Sequence, residues 1–198
     1  MNSRNRRNEQ IEKLVLTSIL AALIAVLQFF ANIPGPGFTF TFSLVPIVVG
    51  AILCGTKAGG FLGLVFGIVV AIQVPLGLAG PLSLDMFNHR PFLTELLCIL
   101  KGVAAGLCTG WLYSAMRKVK NSTLRVMISA IACPLVNTSI FVLGFSTLYF
   151  PILKNYAGEE NPLVFIIISL VGLNFIVEFL INVVLSPVVV KIIRLKKK

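Results

Sequence analysis

The chain has 198 residues, 57% hydrophobic and 12% charged, with a formal net charge of +10 and a mean hydropathy of +0.97. Soluble domains carry about 25% charged residues, so this composition excludes an ordinary soluble protein and points to an integral membrane chain. At about 20 residues per span the length fits one bundle of about five to seven helices and leaves no room for a soluble catalytic domain.

Six spans are predicted, forming one domain over residues 1–198. The first covers about 14–31 and follows a polar, basic opening with Arg4, Arg6, Arg7 and Lys13. Its 18-residue apolar run is long for a signal peptide and shows no small-residue cleavage site before Pro34, so it reads as a retained helix. It carries two small-xxx-small pairs, Ser18 with Ala22 and Ala21 with Ala25, which permit close helix approach. The second span, about 40–54, is short and contains Pro46. The third, about 58–78, places Gly59, Gly63 and Gly67 at four-residue spacing, a stronger packing signal. Gln28 and Gln73 fall near the outer ends of the first and third spans, where interfacial solvation is expected.

The fourth span, about 91–116, carries Glu95 and, about 9 Å deeper at 1.5 Å per residue, Lys101. The fifth, about 124–149, contains Pro134, Asn137, Thr138 and Ser139. Proline there frees a backbone carbonyl one turn earlier, and such breaks often line cavities. The sixth, about 163–190, places Asn174, Glu178 and Asn182 at i, i+4 and i+8. Each step of four drifts only about 40° around a helix, so the three form one polar stripe.

Charge distribution sets the expected orientation. Fourteen of the seventeen lysines and arginines precede the first span, follow the second and fourth, or end the chain. The positive-inside rule then places both termini in the cytoplasm. The basic segments read as topology determinants facing anionic headgroups, which argues against nucleic-acid binding. The expected fold is an all-α, six-transmembrane-helix bundle. Its three outer connections, 32–42, 78–90 and 150–162, mix aromatic, glycine, proline and polar residues and read as loops able to cover a cavity.

An ionisable group at mid-membrane costs at least about 2.5–3.5 kcal/mol on insertion scales, so it faces a partner, a cavity or a substrate. Glu95, Lys101 and Glu178 therefore imply a polar interior. Two readings stay open for Lys101 and Glu178: a structural ion pair, or the floor of a binding pocket. The stripe on the sixth span has the same two readings, helix–helix hydrogen bonding or ligand binding. Cys54, Cys98, Cys108 and Cys133 fit no zinc or redox spacing and read as small buried hydrophobes. His89 is the lone histidine, which excludes a multi-histidine metal site. Nucleotide-binding and hydrolase motifs are missing, so no metal or cofactor is expected and any ATP hydrolysis belongs to other chains. A scaffold with purely structural polar groups, or a membrane-embedded enzyme using Glu95 or Glu178 as base, are the alternatives.

The stretches LVLTSILAALIAVLQF, LVPIVVGAILCGTKAGGFLGLVFGI, RPFLTELLCILKGVAAGLCTGWLY and PLVNTSIFVLGF resemble the substrate-binding subunits (S components) of energy-coupling factor vitamin transporters. The likeness extends over nearly the whole chain and looks most like the pantothenate-specific branch. It implies one vitamin-sized ligand in the outward half, held by the last three helices and the outer loops. It also implies a transmembrane coupling subunit and two ATPase subunits as partners. In that family an Ala-x-x-x-Ala motif on the first helix docks onto the coupling subunit, and Ala21 and Ala25 match it. The resemblance further implies toppling of the bundle during transport, reset by ATP hydrolysis in the partners. For the ligand shell the polarity and depth of the residues single out Arg90, Glu95, Lys101, Asn137, Asn174 and Glu178. Arg90 or Lys101 would take a carboxylate, while Glu95, Asn137 and Asn174 would take hydroxyl and amide groups.

Overall fold

A computed structural model describes residues 3–30, 33–34, 39–40, 42–158, 160–166, 176, 178–180, 184, 187, 190 and 191. In chain order these form α1 (Ser3–Phe30), β1 (Ile33–Pro34), β2 (Thr39–Phe40), α2 (Leu44–Leu53), α3 (Thr56–Gln73) and α4 (Pro81–His89). They continue with α5 (Pro91–Ala115), a 3-10 turn (Met116–Lys118), α6 (Ser122–Leu148), α7 (Phe150–Ala157) and α8 (Pro162–Phe165). The strands make a single two-residue antiparallel ladder, Ile33 opposite Phe40 and Pro34 opposite Thr39. Four of the helices, α1, α3, α5 and α6, are long and apolar enough to cross a membrane, and α2 is a shorter apolar helix. Asn174 and Asn182, and with them most of the polar stripe expected on the sixth span, lie outside the described residues.

The centre of the bundle is the α3–α5 pair, held by glycine on both sides. A Cβ on Gly67 would stand 2.6 Å from the Cα of Ile99, and one on Gly110 would stand 2.6 Å from the Cα of Thr56. Gly63 faces the backbone of Gly102, and Gly59 faces Gly106. Lipid tails give apolar side chains no reason to leave lipid, so contact of this kind is driven by close backbone packing. The four-residue glycine spacing of α3 thus meets the same spacing, Gly102, Gly106 and Gly110, on the antiparallel α5.

α1 turns Leu20, Ile24 and Gln28 inward, at i, i+4 and i+8, against a core that includes Leu44, Ile47, Leu62 and Phe66. Gln28 and Gln73 are a correction to the expected interfacial solvation. Both are buried. The Gln28 side-chain amide donates to Gln73 Oε1 at 2.9 Å, and the Gln73 side-chain amide donates to the backbone carbonyl of Gln28 at 2.8 Å. Burial removes competing water, so these two bonds tie the end of α1 to the end of α3.

Two of the three connections expected to be loops contain helices. α4 and α7 each begin with proline in the first turn, where its fixed φ and missing N–H suit a helix start. Both pack over a second core of Leu82, Met86, Leu97, Phe145, Tyr149, Leu153 and Ile166. At the opposite end of the bundle, Asn121 caps α6, its Oδ1 accepting from the Thr123 and Leu124 amides at 3.1 and 3.2 Å.

Candidate functional site

The polar interior lies between α5 and α6. Along α6, Asn137, Phe141, Phe145 and Tyr149 recur every four residues and share one face. The rings form a stack, 5.8 Å between the centroids of Phe141 and Phe145 and 6.4 Å between Phe145 and Tyr149. At one end of the stack the Tyr149 hydroxyl lies 2.7 Å from Thr94 Oγ1 and 3.2 Å from the Arg90 carbonyl. Thr94 also donates to that carbonyl at 2.9 Å. This triangle fixes the first turn of α5 against the end of α6. Sequence reasoning missed Thr94 and Tyr149, although the four-residue recurrence from Asn137 to Tyr149 marks the face.

About 15 Å along α5 from Pro91, the Lys101 ammonium stands 5.2 Å from the centre of the Phe141 ring. A cation over an aromatic face at this distance is attracted by the ring quadrupole, more strongly when water is excluded. Glu178 is 2% exposed. The charge of Lys101 acts on it, and its own charge acts on Cys133 of α6. Lys101 and Glu178 are therefore near enough for each to feel the other's charge.

Asn137 and Thr138, 6% and 8% exposed, are one turn from Phe141. Asn137 Oδ1 and Thr138 Oγ1 are buried and have no hydrogen-bond partner among the described residues. A buried acceptor left unpaired costs about 1–3 kcal/mol. Two side by side form a polar spot with unused capacity next to a cation.

The remaining expected residues are distributed differently. Arg90 begins α5 with its side chain exposed, at the same end of the bundle as Tyr149. Glu95 is six residues from Lys101, a rotation of about 240° around the helix. It lines a groove with Ile68, Ala71, Ile72, Pro75, Leu76 and Ile99 on the α3 side, so the structure does not bring it to Lys101. Ala21 and Ala25 are half-buried beside the inward stripe of α1, and Ser18 and Ala22 are exposed.

Above the Tyr149 end, α4 and α7 line a shallow, open cleft of about 430 Å³ bordered by Asp85, Asn88, His89, Ile152, Asn155 and Tyr156. The Tyr156 hydroxyl donates to Asp85 Oδ2 and joins the two helices. That bond to the Asp85 carboxylate, then burial, pushes the Tyr156 hydroxyl up to about 12. A raised value means the folded state holds the proton more tightly. The stability this supplies is complete below the ordinary tyrosine value near 10 and is lost as pH rises through about 12.

The site and fold define a polytopic helical membrane protein with a charged, partly unsatisfied interior beneath short capping helices. The family model described as "ECF transporter, substrate-specific component" matches residues 12–190. The chain belongs to that family. It is therefore a substrate-specific transporter component, of a family whose members bind small substrates and work with membrane coupling and ATPase subunits. A comparison with curated proteins found no match.

Proposed function

We propose that this subunit captures one small water-soluble vitamin outside the cell, pantothenate being the best match, and delivers it inward with an ATPase-driven coupling module. Six spans drawn from the apolar runs, oriented by the basic-residue distribution, support two cytoplasmic termini with Tyr149, α4 and α7 facing outward. The observation that carries the reading is the pair of buried acceptors, Asn137 Oδ1 and Thr138 Oγ1, one turn from the ring that holds Lys101. Pantothenate offers what such a site needs: a carboxylate for a cation, and an amide N–H and hydroxyls for acceptors. Lys101 takes the carboxylate and Glu178 balances its charge when the ligand leaves. Asn137, Thr138 and Asn174 take the amide and hydroxyls. Arg90 stands at the mouth and attracts the anion.

Mass spectrometry of ligand carried through purification, followed by titration of the stripped protein, tests this. One-to-one binding of pantothenate below micromolar, without ATP, is expected. Binding of no water-soluble vitamin in that range would overturn the vitamin reading, and tight binding of a vitamin lacking a carboxylate would overturn the pantothenate assignment.

Docking onto the coupling subunit is assigned to Ala21 and Ala25, where small side chains on the most lipid-exposed of the long helices allow a second helix to approach. Ala21→Trp and Ala25→Trp are expected to leave vitamin binding intact and to abolish recovery of the ATPases with tagged protein. Undiminished recovery in both variants would remove the assignment.

A further inference from the structure

α5 and α6 run antiparallel, and four contacts set one against the other. The Thr94 and Tyr149 hydroxyls meet, and Leu97 lies against Gly144. Lys101 stands over Phe141, and Thr109 hydrogen-bonds Cys133. Lys101 to Thr109 is about two turns, as is Phe141 to Cys133, so buried Ala105 falls opposite Asn137 between them. Lys101 is the only cation in the sequence of α5, and it lies one turn from that level. Its ammonium ends a flexible four-carbon stem, so its position depends on what it rests against. That support is the Phe141 ring, 5.2 Å from the ammonium to the ring centre. The ring is held in turn. It stacks on Phe145 at an interplanar angle of 14°, and Phe145 stacks on Tyr149. Phe145 and Tyr149 are both fully buried, and the Tyr149 hydroxyl is anchored by Thr94 and the Arg90 carbonyl.

We propose that Phe141 is a positioning residue for the ligand, its ring holding the Lys101 ammonium one turn from Asn137 for the vitamin's carboxylate. This deepens the vitamin reading above and rests on it. The ring quadrupole attracts a cation without neutralising it. The ammonium therefore stays fully charged and keeps N–H donors for an incoming carboxylate, which accepts them as charge-assisted hydrogen bonds. A group fixed before the ligand arrives also reduces the ordering cost of binding. An aliphatic side chain at position 141 would fill the space and leave the ammonium unheld. The contribution of the ring is thus specific to ligands that carry a carboxylate, which distinguishes positioning from packing.

The test uses the full chain, stripped of ligand and titrated with pantothenate and with pantothenol, in which a primary alcohol replaces the carboxylate. Two variants are compared with wild type: Phe141→Leu, and a trifluorinated phenylalanine in place of Phe141. The fluorinated ring keeps the shape of phenylalanine and weakens its quadrupole, so it decides the matter if Phe141→Leu fails to fold. Phe141→Leu is expected to weaken pantothenate binding about tenfold, the size of a partly desolvated cation–ring contact. Pantothenol binding should change by less than about twofold on the same scale. The fluorinated ring should weaken pantothenate alone, by about threefold to fivefold. Equal weakening of both compounds by Phe141→Leu would overturn the positioning role, since lost packing does not distinguish a carboxylate from an alcohol. A fluorinated protein that binds pantothenate as wild type does would also overturn it. Both of these results leave the vitamin reading standing. Wild type that binds neither compound below micromolar would overturn the pantothenate assignment and this proposal with it.

Discussion

Gly106→Leu is expected to cost the fold more than about 3 kcal/mol, beyond the usual overpacking penalty, and to lower the unfolding temperature in detergent by roughly 6–10 °C or more. A side chain at Gly106 runs into the carbonyl of Gly59 and comes within 3.2 Å of the Gly60 amide nitrogen. Both are helix backbone and neither can rotate away, so α3 and α5 must part. Because Gly63–Gly102 and Gly67–Ile99 lie on the same seam, separation at one point loosens all of it. The position of the obstacle ranks the milder substitutions. Gly106→Ala meets backbone, whereas a Cβ at Gly144 meets the Leu97 side chain, at 2.5 Å from Cδ1, which can change rotamer. Gly106→Ala should therefore destabilise more than Gly144→Ala. Leu100→Ala, on an exposed position of α5, should change little. Thermal unfolding followed by size-exclusion chromatography measures the series. Equal stability of Gly106→Leu and wild type would show that the two helices do not meet through this seam.

That seam also shows what a single sequence discloses. The four-residue spacing of Gly59, Gly63 and Gly67 is plain in the sequence, because small residues at helical period have one physical use in lipid. Gly102, Gly106 and Gly110 repeat it, but periodicity does not say which two helices are neighbours, so the complementary face went unrecognised. Gln28 and Gln73 fail for the same reason. Each alone resembles a residue at a wet interface, and only their meeting across 45 positions makes burial affordable to two amides. α4 and α7 were hidden because glycine and proline around them read as turn signals, although proline at a first helical turn is equally a start. Within the interior, the membership of α5 and α6 was legible from depth and charge. Phase was legible too, since the 240° between Glu95 and Lys101 follows from helix geometry alone. What periodicity lacks is the direction of the neighbours, which decides that one of these charges faces α6 and the other a groove beside α3.

Exchanging Lys101 and Glu178 is expected to restore the fold without restoring the ligand. Lys101→Glu alone puts a second carboxylate, in place of a cation, within electrostatic reach of the buried Glu178, and leaving a buried charge without compensation costs about 3–5 kcal/mol. Adding Glu178→Lys returns one charge of each sign to the same enclosure, so most of the lost unfolding temperature should come back. Vitamin affinity should not. A carboxylate bound by Lys101 depends on an ammonium held at the Phe141 ring beside Asn137 and Thr138, and at position 178 the cation reaches from another helix. Charge-assisted hydrogen bonds contribute about 1.5–3 kcal/mol, so the exchanged protein should bind about 10- to 100-fold more weakly than wild type. Lys101→Met isolates the same term, because it keeps an apolar stem over Phe141 and removes only the ammonium. It should fall in the same range of affinity. The two readouts separate the two roles of the pair. Stability recovered with binding still lost assigns Lys101 to the ligand and Glu178 to its compensation. If the exchange restores both, the pair is structural, and the ligand carboxylate must be met by Arg90 at the mouth of the site.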